Sequence, residues 1–204
     1  MDYQTWRKYW RRAFIGAWWL RFVPYVRLIG LNGSMVTGKV HPESDIDFYI
    51  VVEPGHIFFT RALTTLFAHL LGMRRHGEYV AGKLCLNRYA STDFTEITPH
   101  KLGDAQVFHN LIPLAARAEV YEKYVEENIW MKSFGYPVTI HQPLLKIPFI
   151  QHFAEFLVTP FSGFAETFCQ HWQENRAHHD ARVTLPGSIV VLTAKELRFN
   201  LQKD

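Results

Sequence analysis

The sequence predicts an α/β (α+β) fold, in which strands and helices of the first half are followed by a mainly helical second half. Three observations predict it. Two apolar runs, "YVRLIGLN" (25–32) and "DIDFYIVV" (45–52), stop at the turn signals Gly33 and Pro54-Gly55 and suit buried strands. Between 57 and 73 apolar residues recur at helical period, from Phe58 to Leu71, and the pattern ends near Gly72. From about residue 101 onward the spacing is mainly helical.

The remaining elements follow in chain order. Trp6, Trp10, Phe14 and Ala17 share one face of an N-terminal helix, with Arg7 and Arg11 beside them and Lys8 and Arg12 further round, and Pro24 ends it where the first strand begins. Such a helix can lie on anionic lipid or nucleic acid, but the tie to the next strand favours a cap on the domain, with tryptophans inward and arginines reaching water. "GKLCLNRYAS" (82–91) reads as a third strand, with Leu84 and Leu86 on one face and Cys85, Asn87 and Tyr89 on the other. Helices are expected over 103–116, 117–133 and 148–178, the last interrupted at Pro160 and Gly163, and "SIVVL" near the end suits one more strand. We divide the chain into an α/β unit with its N-terminal helix, 1–98, and a mainly helical region packed on it, 99–204.

Composition excludes several classes. With 204 residues, one core can bury roughly 70% of the extended-chain surface, so no disulfide staples are needed. Two cysteines, Cys85 and Cys169, make no disulfide framework, and with no signal-peptide pattern the expected location is cytoplasmic. The uncharged run from Ala13 to Leu20 is too short for a membrane span. A formal charge of +3 is compatible with anionic ligands but short of a dedicated nucleic-acid protein.

The chemistry concentrates in "NGSMVTGKVHPESDIDFYIVV" (32–52), which contains two phosphate-handling patterns. Gly33, Thr37, Gly38 and Lys39 spell most of a P-loop, but Val40 stands where a magnesium-binding Ser or Thr is required, and Pro42 disfavours a helix through His41. The second pattern is the Gly33-Ser34 turn followed by Asp45-Ile46-Asp47. On a strand Asp45 and Asp47 face the same way, roughly 6 to 7 Å apart at Cα, so their carboxylates can converge on one or two divalent cations. Gly33 permits close backbone approach to a phosphate and Ser34 adds a hydroxyl.

This stretch resembles the signature of the DNA polymerase beta-type nucleotidyltransferase superfamily, and residues 20–90 resemble small bacterial nucleotidyltransferase domain proteins. The resemblance implies a small mixed nucleotidyltransferase sheet. It also implies that Gly33 and Ser34 hold a nucleoside triphosphate and that Asp45 and Asp47 are the catalytic carboxylates binding two metals, Mg2+ or Mn2+. The implied reaction is transfer of a nucleoside monophosphate to an acceptor hydroxyl with release of pyrophosphate. Lys39 is a candidate phosphate partner as a mobile point charge.

Active members carry a third carboxylate on a later strand; here that strand offers Asn87 or Cys85, with Asp93 and Glu96 just downstream. Asn87 can ligate a metal but cannot act as a base near neutral pH. The same fold could therefore serve as a nucleotide-binding or regulatory module without turnover, or as an RNA-binding protein using its basic helix. The acceptor is open, with RNA and another protein as candidates. Arg74, Arg75, His76 and Lys83 lie close enough in sequence to contact a polyanion. His171, His178, His179 and Asp180 lack a recognised zinc spacing and read as a solvated helix end.

Overall fold

The computed structural model describes residues 2–77, 79–180, 183 and 185–200. The two apolar runs form antiparallel neighbours, β1 (Val26–Leu31) and β2 (Ile46–Val52), and β3 (Leu84–Ser91) lies parallel to β2. The chain after residue 99 adds β4 (Ile112–Ala116), the two-residue β5 (Leu145–Lys146), β6 (Ile189–Leu192) and β7 (Glu196–Asn200). Together they make one seven-stranded mixed sheet in the order β5-β4-β1-β2-β3-β7-β6.

Alternation of side chains splits the sheet into two faces. Ile46, Phe48, Ile50 and Val52 of β2 pack with Ile29, Leu31, Leu84 and Tyr89 beneath the helices α1 (Tyr3–Leu20) and α3 (Ile57–Leu70). Tyr49 and Val51 face the other way and pack with Leu28 and Ala90 against α4 (Leu102–Phe108), α5 (Ala118–Glu127) and a 3-10 turn at Ile129–Phe134. Helix α1 is a cap on the domain: Tyr9, Ala13, Ala17 and Leu20 are buried, and the Trp6 ring N–H donates to the Met35 carbonyl at 3.2 Å.

Three expectations are corrected. The predicted helix over 103–116 is α4 followed by β4, which fills the free edge of β1. Pro113 is the signal that reading passed over, since a proline inside a helix costs roughly 3 kcal/mol. Helix α6 (Ile150–His178) runs unbroken through Pro160 and Gly163, held by hydrogen bonds on both sides of them. Before Pro160, Glu155 binds the buried Arg27 guanidinium at 2.7 Å and accepts the N–H of Tyr25 at 2.8 Å; after it, the Glu166 carboxylate accepts the N–H groups of Phe58 and Phe59 at the start of α3. On β3 the register against β2 slips between Asp47 and Tyr49, so Tyr89 joins Leu84 in the core and Arg88 stands opposite Tyr49.

Candidate active site

The site forms where β1 ends and β2 begins. The Asn32 N–H donates to the Asp47 carbonyl at 3.1 Å, fixing the two strand ends side by side. The chain then turns through Gly33 at φ +67°, a conformation that L side chains rarely adopt. A Cβ added there would lie 2.1 Å from Asp47 Oδ2, so glycine is required on both counts. Ser34 opens the single helical turn α2 (Ser34–Thr37), whose Val36 and Thr37 N–H groups bond back to the Gly33 carbonyl at 3.2 and 3.1 Å. Gly38, at φ +74°, closes the turn, and the next helix starts only at Ile57, so the P-loop spelling has no helix after its lysine.

Asp45 and Asp47 share a face, and with Cys85 they place their ligating atoms within 4.8 Å of one another. Cys85 enters because it is the register partner of Asp47 on β3. Burial, then the neighbouring Asp45 carboxylate, push Asp47 up to about 7. Burial and the same two carboxylates hold the Cys85 thiol well above its usual range, so at neutral pH it is a protonated, weak donor. Arg75 reaches in from the segment after α3, pairs with Asp45 and approaches Cys85 Sγ at 3.4 Å. This guanidinium occupies one oxygen that a cation would use.

Two buried polar atoms flanking Gly33, Asn32 Oδ1 and Ser34 Oγ, have no hydrogen-bond partner. Orphaned atoms of this kind are costly unless a ligand or water completes them. Next to them opens a cleft of about 470 Å³ lined by Asn32, Gly33, Asp47, Asn87, Arg88, Lys101, Asp104 and Arg198, among others. Arg88 is buried, pairs with Asp104 at 3.4 Å and Glu196 at 3.3 Å, and lies over the Phe108 ring. It shares the Thr98 carbonyl with Arg198.

The structure thus brings Gly33, Ser34, Asp45 and Asp47 together and sets Asn87 on the cleft wall beside Asp47. Lys39 is exposed beyond Gly38 and does not line the cleft; the lysine that does is Lys101. Asp93 is exposed on a turn and Glu96 pairs with His100 at 2.8 Å, both off the cleft wall. Arg75, Arg88, Lys101 and Arg198 come from four separate segments. For Arg75 a signal was present, since "RRH" follows the helix nearest the acids. Nothing local marks Arg198, which reaches the site only because β7 pairs with β3. Among the described residues the Asp45, Asp47 and Cys85 group is the one set of His, Cys, Asp or Glu spaced to hold a metal.

A family model described as "Nucleotidyltransferase domain" matches residues 19–158. The chain belongs to that nucleotidyltransferase family. The generic activity the family supports is nucleotidyl transfer. The match spans the Gly33-Ser34 turn, both aspartates, β4 and the first turns of α6, so it extends well beyond the motif. No curated protein and no solved structure matches the chain at a significant level. Among the described residues, no helix is long and apolar enough to cross a membrane.

Proposed function

We propose that this nucleotidyltransferase is metal-dependent and moves a nucleoside monophosphate from a nucleoside triphosphate to an acceptor hydroxyl, releasing pyrophosphate. The observation that carries the reading is the packing of Asp47 against Gly33, with Asp45 beside it and the orphaned Ser34 hydroxyl at the same bend. The donor set suits Mg2+ or Mn2+: carboxylate oxygens come from Asp47 on β2 and from Asp45 just before it, and the Asn87 amide is available from the cleft wall. Divalent ions held there would lower the pKa of the attacking hydroxyl and offset the charge of the departing phosphates.

The chain's own residues bind and orient. Gly33 lets the backbone approach a phosphate, and Ser34 Oγ supplies a hydroxyl with no competing partner. Arg88 and Arg198, fixed by Glu196 and the Thr98 carbonyl, and the exposed Lys101 supply cationic groups to the cleft, offset in part by Asp104 and Glu196. Lys39 in this reading closes over the phosphates from outside rather than lining their bed. Residues 1–98 then carry the metal-binding groups, and 99–204 build the opposite wall of the cleft through Lys101, Asp104 and Arg198. RNA and another protein are the acceptors we weigh, and use of cellular triphosphates fits a cytoplasmic setting.

A second reading, nucleotide binding without turnover, is favoured by one observation: a protonated thiol, Cys85, sits where a third carboxylate would be expected, and Arg75 already occupies Asp45. Incubation of α-labelled triphosphates and Mg2+ or Mn2+ with RNA and protein fractions separates the two. Label transfer and pyrophosphate release that vanish in Asp45→Asn support the transferase. Metal-dependent triphosphate binding with no transfer to any fraction supports the second reading, and no metal-dependent binding at all defeats both.

A further inference from the structure

Helix α6 is turned inside out relative to an ordinary amphipathic helix. Its buried side is polar: Gln151, Glu155, Ser162 and Gln173 are buried, and they reach the Val23 carbonyl, Arg27, the Thr159 carbonyl and the Phe58 carbonyl respectively. Its outer side is aromatic. Phe153, Leu157, Phe161, Phe164, Phe168 and Trp172 follow one another at steps of three or four, and every one is at least 49% exposed, Phe164 reaching 81%. With Phe149 just before the helix, these side chains expose on the order of 1,000 Å² of apolar surface. A monomer rarely shows a contiguous apolar patch above roughly 300–600 Å², and each side of a stable interface buries roughly 800 Å². Between Phe149 and Trp172 the exposed positions include no Asp, Glu, Lys or Arg, so two such stripes meet without charge repulsion or a stranded charge.

We propose that this stripe is a homodimer interface in which α6 packs antiparallel on α6 of a second copy. Besides area, the order of the residues carries the choice of occupant. Reflected about a point between Pro160 and Phe161, Leu157 falls on Phe164, Phe153 on Phe168 and Phe149 on Trp172. A two-fold interface requires this: residue i meets residue j of the partner, and j meets i. Rows at steps of four are the ridges that interlock when two helices cross. Gly163 sits at mid-stripe with open space around it, where its lack of a side chain lets a second helix come close. In the isolated chain a glycine there only weakens an exposed helix.

The test is the mass in solution of the chain at micromolar concentration, by sedimentation or light scattering. We expect twice the 23.9 kDa of one chain, and in Phe161→Glu/Phe164→Glu a dissociation constant raised at least tenfold. The thermal midpoint should rise with concentration in the wild type and much less in the variant, whose two residues are exposed in the single chain and whose monomer should stay folded. Register is read by cross-linking in a Cys169→Ser background, where the remaining Cys85 is buried. Leu157→Cys mixed with Phe164→Cys should form a disulfide-linked dimer on oxidation, and neither should do so alone. A monomer at these concentrations overturns the proposal, whether or not it binds anionic vesicles. A Leu157→Cys protein that cross-links to itself overturns the antiparallel arrangement.

Discussion

The Gly33 Cα stands so close to Asp47 that the carboxylate occupies the space any side chain at 33 would fill, the gap to Oδ2 being 2.1 Å from an ideal Cβ. The proposed phosphate-binding turn and the proposed metal-binding carboxylates are therefore one packed unit. Gly33→Ala meets both this contact and a backbone at φ +67°. We expect nucleotidyl transfer to drop to background and the thermal midpoint to fall by several degrees, matching a cost of roughly 1–3 kcal/mol. Calorimetry and a transfer assay on the same preparation check it; an active, equally stable Gly33→Ala would remove the coupling.

In the proposed metal site Arg75 would compete with a cation for Asp45. For Arg75→Met we expect tighter Mn2+ binding, about three- to tenfold, because the half-buried pair it breaks is worth about 1 kcal/mol. Titration calorimetry of Mn2+ into both proteins reads this directly, and weaker binding in Arg75→Met would show that the arginine supports the site instead.

Asp47 gives the apo protein a pH signature. The folded state holds its carboxyl at about 7 against an ordinary value of 3.8, so the fold binds a proton that the unfolded chain has lost. Its contribution favours folding below 3.8 and is lost as pH rises towards about 7. In chelator, the difference in thermal midpoint between Asp47→Asn and wild type should grow over that window, with the variant the more stable at its upper end. Saturating Mn2+ should reverse the order.

The identity of the third ligand can be read by substitution. Cys85 lies in register with Asp47 and within the 4.8 Å group, whereas Asn87 lines the cleft. Mg2+ takes oxygen ligands and dehydrates reluctantly, so a buried thiol serves it poorly. We expect Cys85→Asp to tighten Mg2+ binding tenfold or more and to lower apo stability by adding like charge, while Asn87→Asp does neither to the same degree. Mg2+ titrations followed by thermal shift decide between the positions.

Arg27 anchors α6 to the sheet through a buried pair with Glu155 at 2.7 Å, and it also meets the more exposed Glu53 at 2.7 Å. Removing one partner of a buried pair strands the other, so Arg27→Ala should cost about 3–5 kcal/mol in chemical denaturation. The double change Arg27→Met/Glu155→Gln, which keeps an acceptor for the Tyr25 N–H, should recover part of it.

The sequence by itself determined the elements whose cause is local. Alternation along 45–52 placed Asp45 and Asp47 on one face, Gly33 announced the bend opposite them, and the 3.6-residue period of 57–71 made α3 legible. Tertiary structure decided what depends on partners far along the chain. "IPLAA" is apolar on both sides and carries no period, so only the open edge of β1 made it a strand. The slip on β3 arises from pairing with β2 beyond Asp47 and Cys85, and it put Arg88 on the site face and Tyr89 in the core. Lys101 and Arg198 reach the cleft through α4 and β7, which no short-range rule connects to Asp47. Helical spacing marked a range for α6 but did not say which of its faces turns inward. Arg27 settled it, because a guanidinium buried beside β1 is stable only with carboxylates brought to it.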